Sequence, residues 1–291
     1  CSGPVSALEV GRKYQVDGLR APQSTGARVQ EADHAVTREG RSTHVHHGYA
    51  VNRGRYTYAG ELYYKLFLSK NSGLPTAPFG AKRMDDPNCL HAITEVAVKA
   101  EGPYVFVTWG QASLQILGRF SKNGGKDFGP IKQFFRGNSM GGQAFLSDSI
   151  RTELTASGEA YVFWQQYNAE TVAYQDVMVR KLSDEGQTLG PAVKITDVNG
   201  ATWAPLGLSV AWDGIRLLAA WMDYRGLMFD SSSDGGGTWG QDRMVCGREC
   251  TTDIPDNRLT NIAVASDDTI HILSGGLTGD RGSAVYYVRS D

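Results

Sequence analysis

The sequence predicts an all-β fold: a five-bladed β-propeller in one domain over residues 1–291, with a six-bladed ring as the alternative. An apolar strand, a tight polar turn and a second apolar strand recur five times. The copies are spaced about 55 to 60 residues apart, which is the scale of a four-stranded propeller blade. The 35 glycines fall mostly at turns, as a chain of many short hairpins requires.

Each repeat is an inner hairpin whose two strands flank a turn that carries glycine or aspartate. The five copies run over residues 35–48, 97–110, 153–164, 209–221 and 263–273. Because the blades of such an array share one ring, the repeat predicts a single domain although the chain is 291 residues long. The repeat predicts the architecture and leaves the function open.

A third strand follows each inner hairpin and leads into a glycine-rich turn, most clearly at residues 232–239 and 121–128 and more weakly at 182–189 and 69–73. An Asp or Asn in such a turn accepts hydrogen bonds from the turn backbone, and the closing aromatic residue packs beneath the hairpin. The pattern resembles the Asp-box of sialidase-like, BNR-repeat propellers. In that family the Asp-box is a structural hairpin on the outer part of the blade. The resemblance therefore implies that Asp234 is not catalytic.

The two ends of the chain are predicted to complete one blade. Residues 285–291 read as a third strand, and residues 3–10 resemble the openings of fourth strands at 129–131 and 190–192. The N-terminal strand would then pair with the last blade and close the ring, which removes an exposed sheet edge. Sialidases have six blades, so a count of five departs from that family unless residues 11–32 hide a degenerate blade.

The chain begins with Cys1-Ser2-Gly3, which resembles the mature start of a bacterial lipoprotein whose cysteine carries the lipid. This resemblance implies a bacterial cell-envelope location, periplasmic or at the outer membrane, with membrane contact only through a lipid anchor at Cys1. A chain trimmed at that residue is the alternative.

Cys246 and Cys250 are separated by three residues that include a glycine, so this loop can close on itself as a disulfide. An envelope location would favour that bridge. A Cys1–Cys89 bridge is a second possibility if Cys1 carries no lipid. A zinc site is less favoured, because the sequence has no second paired-cysteine motif.

The net charge of −2 predicts no broad attraction to nucleic acid. No apolar run approaches the roughly 18 residues that are needed to cross a bilayer. The predicted partner is therefore a protein or a glycan, and the sequence assigns no cofactor.

Superposing the repeats by their inner turns brings five residues to one position near the start of each innermost strand: Asp33, Glu95, Arg151, Gly207 and Asn261. A fully buried strand would usually carry apolar residues there. The pattern favours either a polar ligand-binding pocket on the ring axis, built by the four polar residues, or a water-filled channel with a structural Arg151–carboxylate pair.

The second strand of the first repeat carries His44, His46 and His47. Strand alternation puts His44 and His46 on one face, where they could hold zinc or copper with Asp33 or His34 as further ligands. Ordinary polar strand residues are the alternative reading. Tryptophans stand at this place in other repeats and are predicted to pack between blades: Trp109, Trp164 and Trp221.

Two enzymatic patterns are only partly present. Sialidases use an arginine triad, a Tyr-Glu nucleophile pair and an acid Asp; residues 19–22 faintly resemble their Arg-Ile-Pro motif, and Arg151 and Arg225 are the candidate partners. Five-bladed glycosidases instead place carboxylates on successive inner strands for general acid and base work. Residues 32–34 are distantly similar to the Ala-Asp-Pro opening of those enzymes.

In the second pattern the three carboxylates would be Asp33, Glu95 and Glu153. Since neither catalytic set is complete, the sequence favours a non-enzymatic envelope propeller that binds a protein or glycan partner through its rim loops. A glycoside hydrolase is the first alternative. A metal-binding envelope protein that uses the His44–His47 cluster is the second.

Overall fold

The described residues of the computed structural model form antiparallel β-sheets and no helix. The model describes residues 28–39, 42–52, 60–70, 81–86, 93–111, 115–137, 143–145, 150–168, 173–197, 206–247, 260–277 and 283–290. Accordingly, no helix within these ranges is long and apolar enough to span a membrane.

The strands follow the chain as successive meanders. The first sheet holds β1 (Arg28–Glu39), β2 (Ser42–Asn52), β3 (Gly60–Lys70) and β4 (Lys82–Arg83). The second holds β5 (Ile93–Glu101), β6 (Tyr104–Gln111), β7 (Gln115–Ser121) and β8 (Lys132–Arg136). The third holds β10 (Arg151–Leu154), β11 (Ala160–Asn168), β12 (Ala173–Ser183) and β13 (Thr188–Lys194), with β9 (Gln143–Phe145) also paired to β11.

The fourth sheet holds β14 (Leu206–Trp212), β15 (Leu217–Asp223), β16 (Gly226–Ser232) and β17 (Arg243–Cys246). The last holds β18 (Thr260–Val264), β19 (Ile270–Leu277) and β20 (Ser283–Arg289), so it has three strands within the described residues. The predicted fourth strand of this sheet, residues 3–10, lies outside the described part of the chain.

Consecutive sheets pack face to face. The first strand of each sheet contacts the first strand of the next, in the order β1, β5, β10, β14 and β18. Four buried apolar clusters fill the spaces between successive sheets in the described residues. This arrangement is an all-β propeller, with β1, β5, β10, β14 and β18 as the innermost strands.

The predicted packing of the tryptophans between sheets is confirmed. Trp109, Trp164 and Trp221 are each at most 1% exposed. Each belongs to a different intersheet cluster: Trp109 packs between the first two sheets, Trp164 between the second and third, and Trp221 between the third and fourth. The indole rings therefore fill the space between neighbouring sheets.

The turn between β16 and β17 has the predicted hydrogen bonds. Asp234 Oδ1 accepts from the backbone nitrogens of Gly237 and Thr238, both at 2.9 Å, and Thr238 Oγ1 donates to Asp234 Oδ2 at 2.6 Å. These donors, led by the Thr238 hydroxyl, hold the pKa of Asp234 well below its usual range. Trp239 closes the turn by packing edge-on against Phe163, with ring centroids 6.1 Å apart.

The equivalent turn between β7 and β8 is built in the same way around Asn123. Asn123 Oδ1 accepts from the Asp127 backbone nitrogen at 2.9 Å, and Phe128 packs edge-on against Tyr64. The weaker copy between β12 and β13 differs, because the non-glycine residues Asp184 and Glu185 have positive φ there, whereas glycines have it in the two clear copies. Most of the weakest copy, from residue 71 onward, lies outside the described residues.

Cys246 at the end of β17 is disulfide-bonded. Its predicted partner, Cys250, and the other cysteines, Cys1 and Cys89, lie outside the described residues. The Cys246–Cys250 pairing and the lipid on Cys1 therefore stay predictions.

Candidate functional site

The polar site begins at an edge of the innermost strand β10. This strand lies at the end of its sheet, so one edge faces no further strand within the described residues. Glu95 on β5 covers that edge: its Oε1 accepts from the Ile150 backbone nitrogen at 3.0 Å. A side chain from one sheet thereby satisfies a backbone donor of the next, which would otherwise be buried without a partner.

Arg151 completes this contact. Its Nη1 lies 3.4 Å from Glu95 Oε1 and donates to the Ile150 carbonyl oxygen at 2.8 Å. The Glu95 carboxylate is buried, whereas the Arg151 side chain is 34% exposed. A β-bulge between Ile93 and Glu95 locally reorients β5 at this point. The structure therefore brings together two of the predicted pocket residues, as the arginine–carboxylate pair that was the structural alternative to a ligand pocket.

A second ion pair joins the same two strands further along. Lys99 Nζ on β5 lies 2.9 Å from Glu153 Oε1 on β10. The Glu153 side chain is 10% exposed and the Lys99 side chain 43%. Burial raises the pKa of Glu153 above its ordinary value, while the Lys99 ammonium acts in the opposite direction.

Two carboxylates on neighbouring inner strands thus have different surroundings. Glu95 receives a backbone N–H and a guanidinium, which stabilise its negative charge. Glu153 has a raised pKa because it is buried, so its carboxyl group retains a proton to higher pH. General acid and base catalysis uses pairs of carboxyl groups whose surroundings differ in this way.

The other predicted pocket positions differ from this pair. Gly207 has a φ of +63° and lies in a bulge between Leu206 and Ser209, whose Oγ accepts from the Ile262 backbone nitrogen at 3.1 Å. A serine thus has the edge-covering role at the fourth interface that Glu95 has at the second. Asn261 is exposed on β18. Asp33 pairs with Gly48 through its strand, but its side chain lies outside the described residues.

His46 is buried at the interface of the first two sheets. Its Nδ1 lies 2.8 Å from the Tyr64 hydroxyl oxygen. Burial, together with the neighbouring charge of His44, lowers the pKa of His46 to about 4. The imidazole is therefore neutral at physiological pH and is held by hydrogen bonding to a tyrosine.

The histidine cluster keeps the predicted orientation of two of its members. The rings of His44 and His46 lie 6.5 Å apart on one face of β2. Within the described residues, no group of three or more His, Cys, Asp or Glu side chains is placed to hold a metal ion. The side chains of Asp33 and His34, the further ligands that the sequence proposed, are not among those described, so the metal site stays a prediction.

Sequence reasoning missed a carboxylate cluster around Arg225. The Arg225 guanidinium Nη2 lies 2.6 Å from Asp223 Oδ2 and 2.7 Å from Asp242 Oδ2. Asp197 and Asp242 accept each other's backbone N–H groups, which ties the end of the third sheet to the fourth. Burial raises the pKa of nearby Asp230 to about 6. The one available signal was Asp223, at the end of the otherwise apolar strand β15.

The comparisons with known proteins identify similar solved structures. No family model matches the chain, and no curated protein matches it by sequence. The NanB sialidase from Streptococcus pneumoniae is 8% identical with a TM-score of 0.51, over 92% of this chain and 56% of that one. An exo-β-1,3-galactanase from Clostridium thermocellum is 10% identical with a TM-score of 0.44, over 89% and 58%. A GH43_1 enzyme from Xanthomonas citri is 11% identical with a TM-score of 0.41, over 92% and 89%.

At these identities the similarity shows the fold alone, and the NanB match supports the β-propeller architecture. This chain spans little more than half of the sialidase and of the galactanase. The leading sequence prediction of a non-enzymatic binding module is contradicted, because the solved structure that shares this fold at a TM-score of 0.51 is a sialidase, which is an enzyme. The prediction relied on the lack of a linear catalytic motif, and carboxylates on separate sheets form no such motif.

Proposed function

We propose that this protein is a glycoside hydrolase whose catalytic carboxylates stand on successive innermost strands. The observation that carries the proposal is the placement of Glu95 and Glu153, two buried carboxylates on β5 and β10 whose bonding partners differ. The glycosidase propellers similar to the chain favour the same reaction class.

Glu153 is the proposed general acid. Its carboxyl proton passes to the oxygen of the scissile glycosidic bond as the bond from the anomeric carbon to that oxygen breaks. A water molecule adds its oxygen to the anomeric carbon and gives one proton to the base. The products are two sugars with free hydroxyl groups, and the proton on the base restores Glu153.

Glu95 is the proposed base, because Arg151 and the Ile150 N–H stabilise its negative charge. Asp33 on β1 is the third carboxylate of the same pattern. In this proposal Arg151 is a positioning residue, since it is bonded both to Glu95 and to the Ile150 carbonyl.

The first test is hydrolysis of a panel of p-nitrophenyl glycosides and oligosaccharides by the wild type and three Glu→Gln variants. We expect Glu153→Gln and Glu95→Gln each to reduce kcat/KM at least about 100-fold, the range for loss of general acid or base catalysis. Glu101→Gln is the matched control, because Glu101 is exposed at the other end of β5.

Aryl substrates with good leaving groups need less acid assistance, so Glu153→Gln should lose less activity on p-nitrophenyl glycosides than on oligosaccharides. Wild-type activity that persists in both site variants would overturn the residue assignment. No hydrolysis of any member of the panel by the wild type would count against the proposed function itself.

We also propose that the ring has five blades, with Asp-box hairpins at residues 121–128 and 232–239. The N-terminal strand at residues 3–10 pairs with β20 and supplies the fourth strand of the last blade. The support is the succession of sheets, together with the three strands of the last sheet within the described residues.

A further inference from the structure

The ion pair between Lys99 and Glu153 has one fixed member and one movable member. We propose, resting on the function proposed above, that Lys99 is a positioning residue that controls the proton on Glu153. While its ammonium is paired, Glu153 binds a proton less tightly, and when a ligand displaces the ammonium, Glu153 binds more tightly the proton that general acid catalysis requires.

The exposures of the two side chains support this division. The Glu153 side chain is 10% exposed and has little room to move, whereas the Lys99 side chain is 43% exposed. The two residues also stand on different sheets, with Lys99 on β5 and Glu153 on β10. A rotation of the flexible lysine side chain alone can therefore separate the pair, without any change in either strand.

The electrostatics give the pair two states. Burial raises the pKa of Glu153, and the Coulombic attraction and hydrogen bond of Lys99 oppose that rise. Removing the ammonium leaves burial unopposed, so the carboxyl group then binds a proton more tightly. A buried carboxylate that has lost its cation is costly, and protonation relieves that cost.

Among the described residues, Lys99 is the cation that pairs with Glu153. The strands that contact β10 are β5, β6, β11 and β14. Their described charged or titratable residues, with the neighbour on β10 itself, are Lys99, Glu95, Glu101, Tyr104, Tyr161 and Arg151. Tyr104 and Tyr161 donate to Glu185 and Glu159, and Arg151 bonds Glu95. The described part of β14 has no charged side chain.

The proton balance of the step is simple. A ligand hydroxyl or ring oxygen that occupies the place of the ammonium leaves Glu153 without its cation, and the carboxylate takes one proton from solvent. That proton then passes to the glycosidic oxygen when the bond breaks. Return of Lys99 after product release lowers the proton affinity of Glu153 again.

The test is a titration of Glu153 by ¹³C NMR on protein labelled at the glutamate side-chain carboxyl carbon. The Glu153 signal is assigned by its loss in Glu153→Gln. We expect Lys99→Met to raise the titration midpoint of Glu153 by about one pH unit or more, since an opposite charge at this range lowers a carboxyl pKa by 1 to 3 units. Lys99→Arg should restore a midpoint near that of the wild type.

Lys122→Met is the matched control, because Lys122 pairs with the exposed Glu185 at 3.3 Å. It should leave the Glu153 midpoint unchanged. Lys99→Gln serves as a second neutral variant if Lys99→Met folds poorly. An unchanged midpoint in both neutral variants overturns the proposal.

The pH profile of kcat/KM gives the functional readout. A general acid works only when protonated, so activity falls as the pH rises through its pKa. In Lys99→Met this alkaline limb should move upward by the same amount as the NMR midpoint. If the alkaline limb of the kcat/KM profile stays at the same pH while the NMR midpoint of Glu153 moves, the positioning role is overturned. A moved midpoint in a protein with no hydrolytic activity overturns the proposed function and leaves the electrostatic control of Glu153 standing.

Discussion

At the scale of single residues, three buried carboxylates have different bonding partners. Glu95 accepts a backbone N–H and contacts a guanidinium, whereas Glu153 is paired with an ammonium. Asp230 accepts the Ser231 N–H through Oδ1 at 2.6 Å, but its buried Oδ2 has no hydrogen-bond partner in the described part of the chain. Burial favours the neutral acid, and it raises the pKa of both Glu153 and Asp230.

Asp230 makes the stability of the protein depend on pH. Its pKa is raised from 3.8 to about 6 in the folded chain, chiefly by burial and further by the charges of Asp242 and Asp197. Between these values the folded state binds more protons than the unfolded state, so stability falls as the pH rises from 3.8 to about 6 and is then level. We expect Asp230→Asn to remove this pH-dependent decrease in the free energy of unfolding, which is on the order of 2 kcal/mol.

The measurement is urea unfolding of both proteins between pH 4 and pH 7. Asp267→Asn is the control, because the Thr269 hydroxyl and backbone lower the pKa of the exposed Asp267, so that its contribution to stability is nearly constant across this range. Stability curves for the wild type and Asp230→Asn that run parallel across this range would show that Asp230 has an ordinary pKa.

At the scale of elements, the hairpin turns between third and fourth strands also join neighbouring blades. In the turn between β7 and β8, Gly125 lies against the ring of Tyr64 from the first sheet. The Tyr64 hydroxyl in turn contacts Nδ1 of His46. The turn is therefore both a local hydrogen-bonded unit and part of the interface between two sheets.

Substitution of two adjacent glycines distinguishes the local role of the turn from its role in the interface. Gly124 and Gly125 both have positive φ, so alanine is strained at either position. A Cβ on Gly124 would meet nothing within 4 Å, whereas a Cβ on Gly125 would lie 2.0 Å from the Tyr64 hydroxyl oxygen. We expect Gly125→Ala to lower the free energy of unfolding by about 2 kcal/mol more than Gly124→Ala.

Thermal and urea unfolding of the two variants measures this difference directly. Equal destabilisation would mean that the backbone strain accounts for the whole effect and that Tyr64 yields without cost. A larger effect for Gly124→Ala would contradict the described packing of the turn.

At the scale of the whole molecule, the fold was predictable because its signal is local and repeated. Each inner hairpin lies within about 15 residues, and alternation of apolar residues marks both of its strands. The same register placed Glu95 and Arg151 at one level, seven residues before Gly102 and Gly158, and the structure brings them into contact. The predicted burial of the tryptophans followed from the same periodicity.

The rest of the site depends on contacts between sheets that no linear pattern records. Lys99 and Glu153 are 54 residues apart, and Lys99 alone looks like an ordinary polar strand residue. Arg225 pairs with Asp223 two residues away and also with Asp242, which is 17 residues further along the chain. The functional prediction rested on the lack of a contiguous motif, and carboxylates that stand on separate blades form none.

Hydrolysis in water enriched in ¹⁸O tests the central claim most directly. The wild type is incubated with an oligosaccharide from the panel. The masses of the released sugars are measured by mass spectrometry within minutes, before the anomeric oxygen at the reducing end exchanges with water. If the protein is a glycoside hydrolase that uses Glu153 as its acid, the new reducing end carries one ¹⁸O and Glu153→Gln releases little or none. Oligosaccharides that stay intact with the wild type, or equal release by Glu153→Gln, would contradict the account.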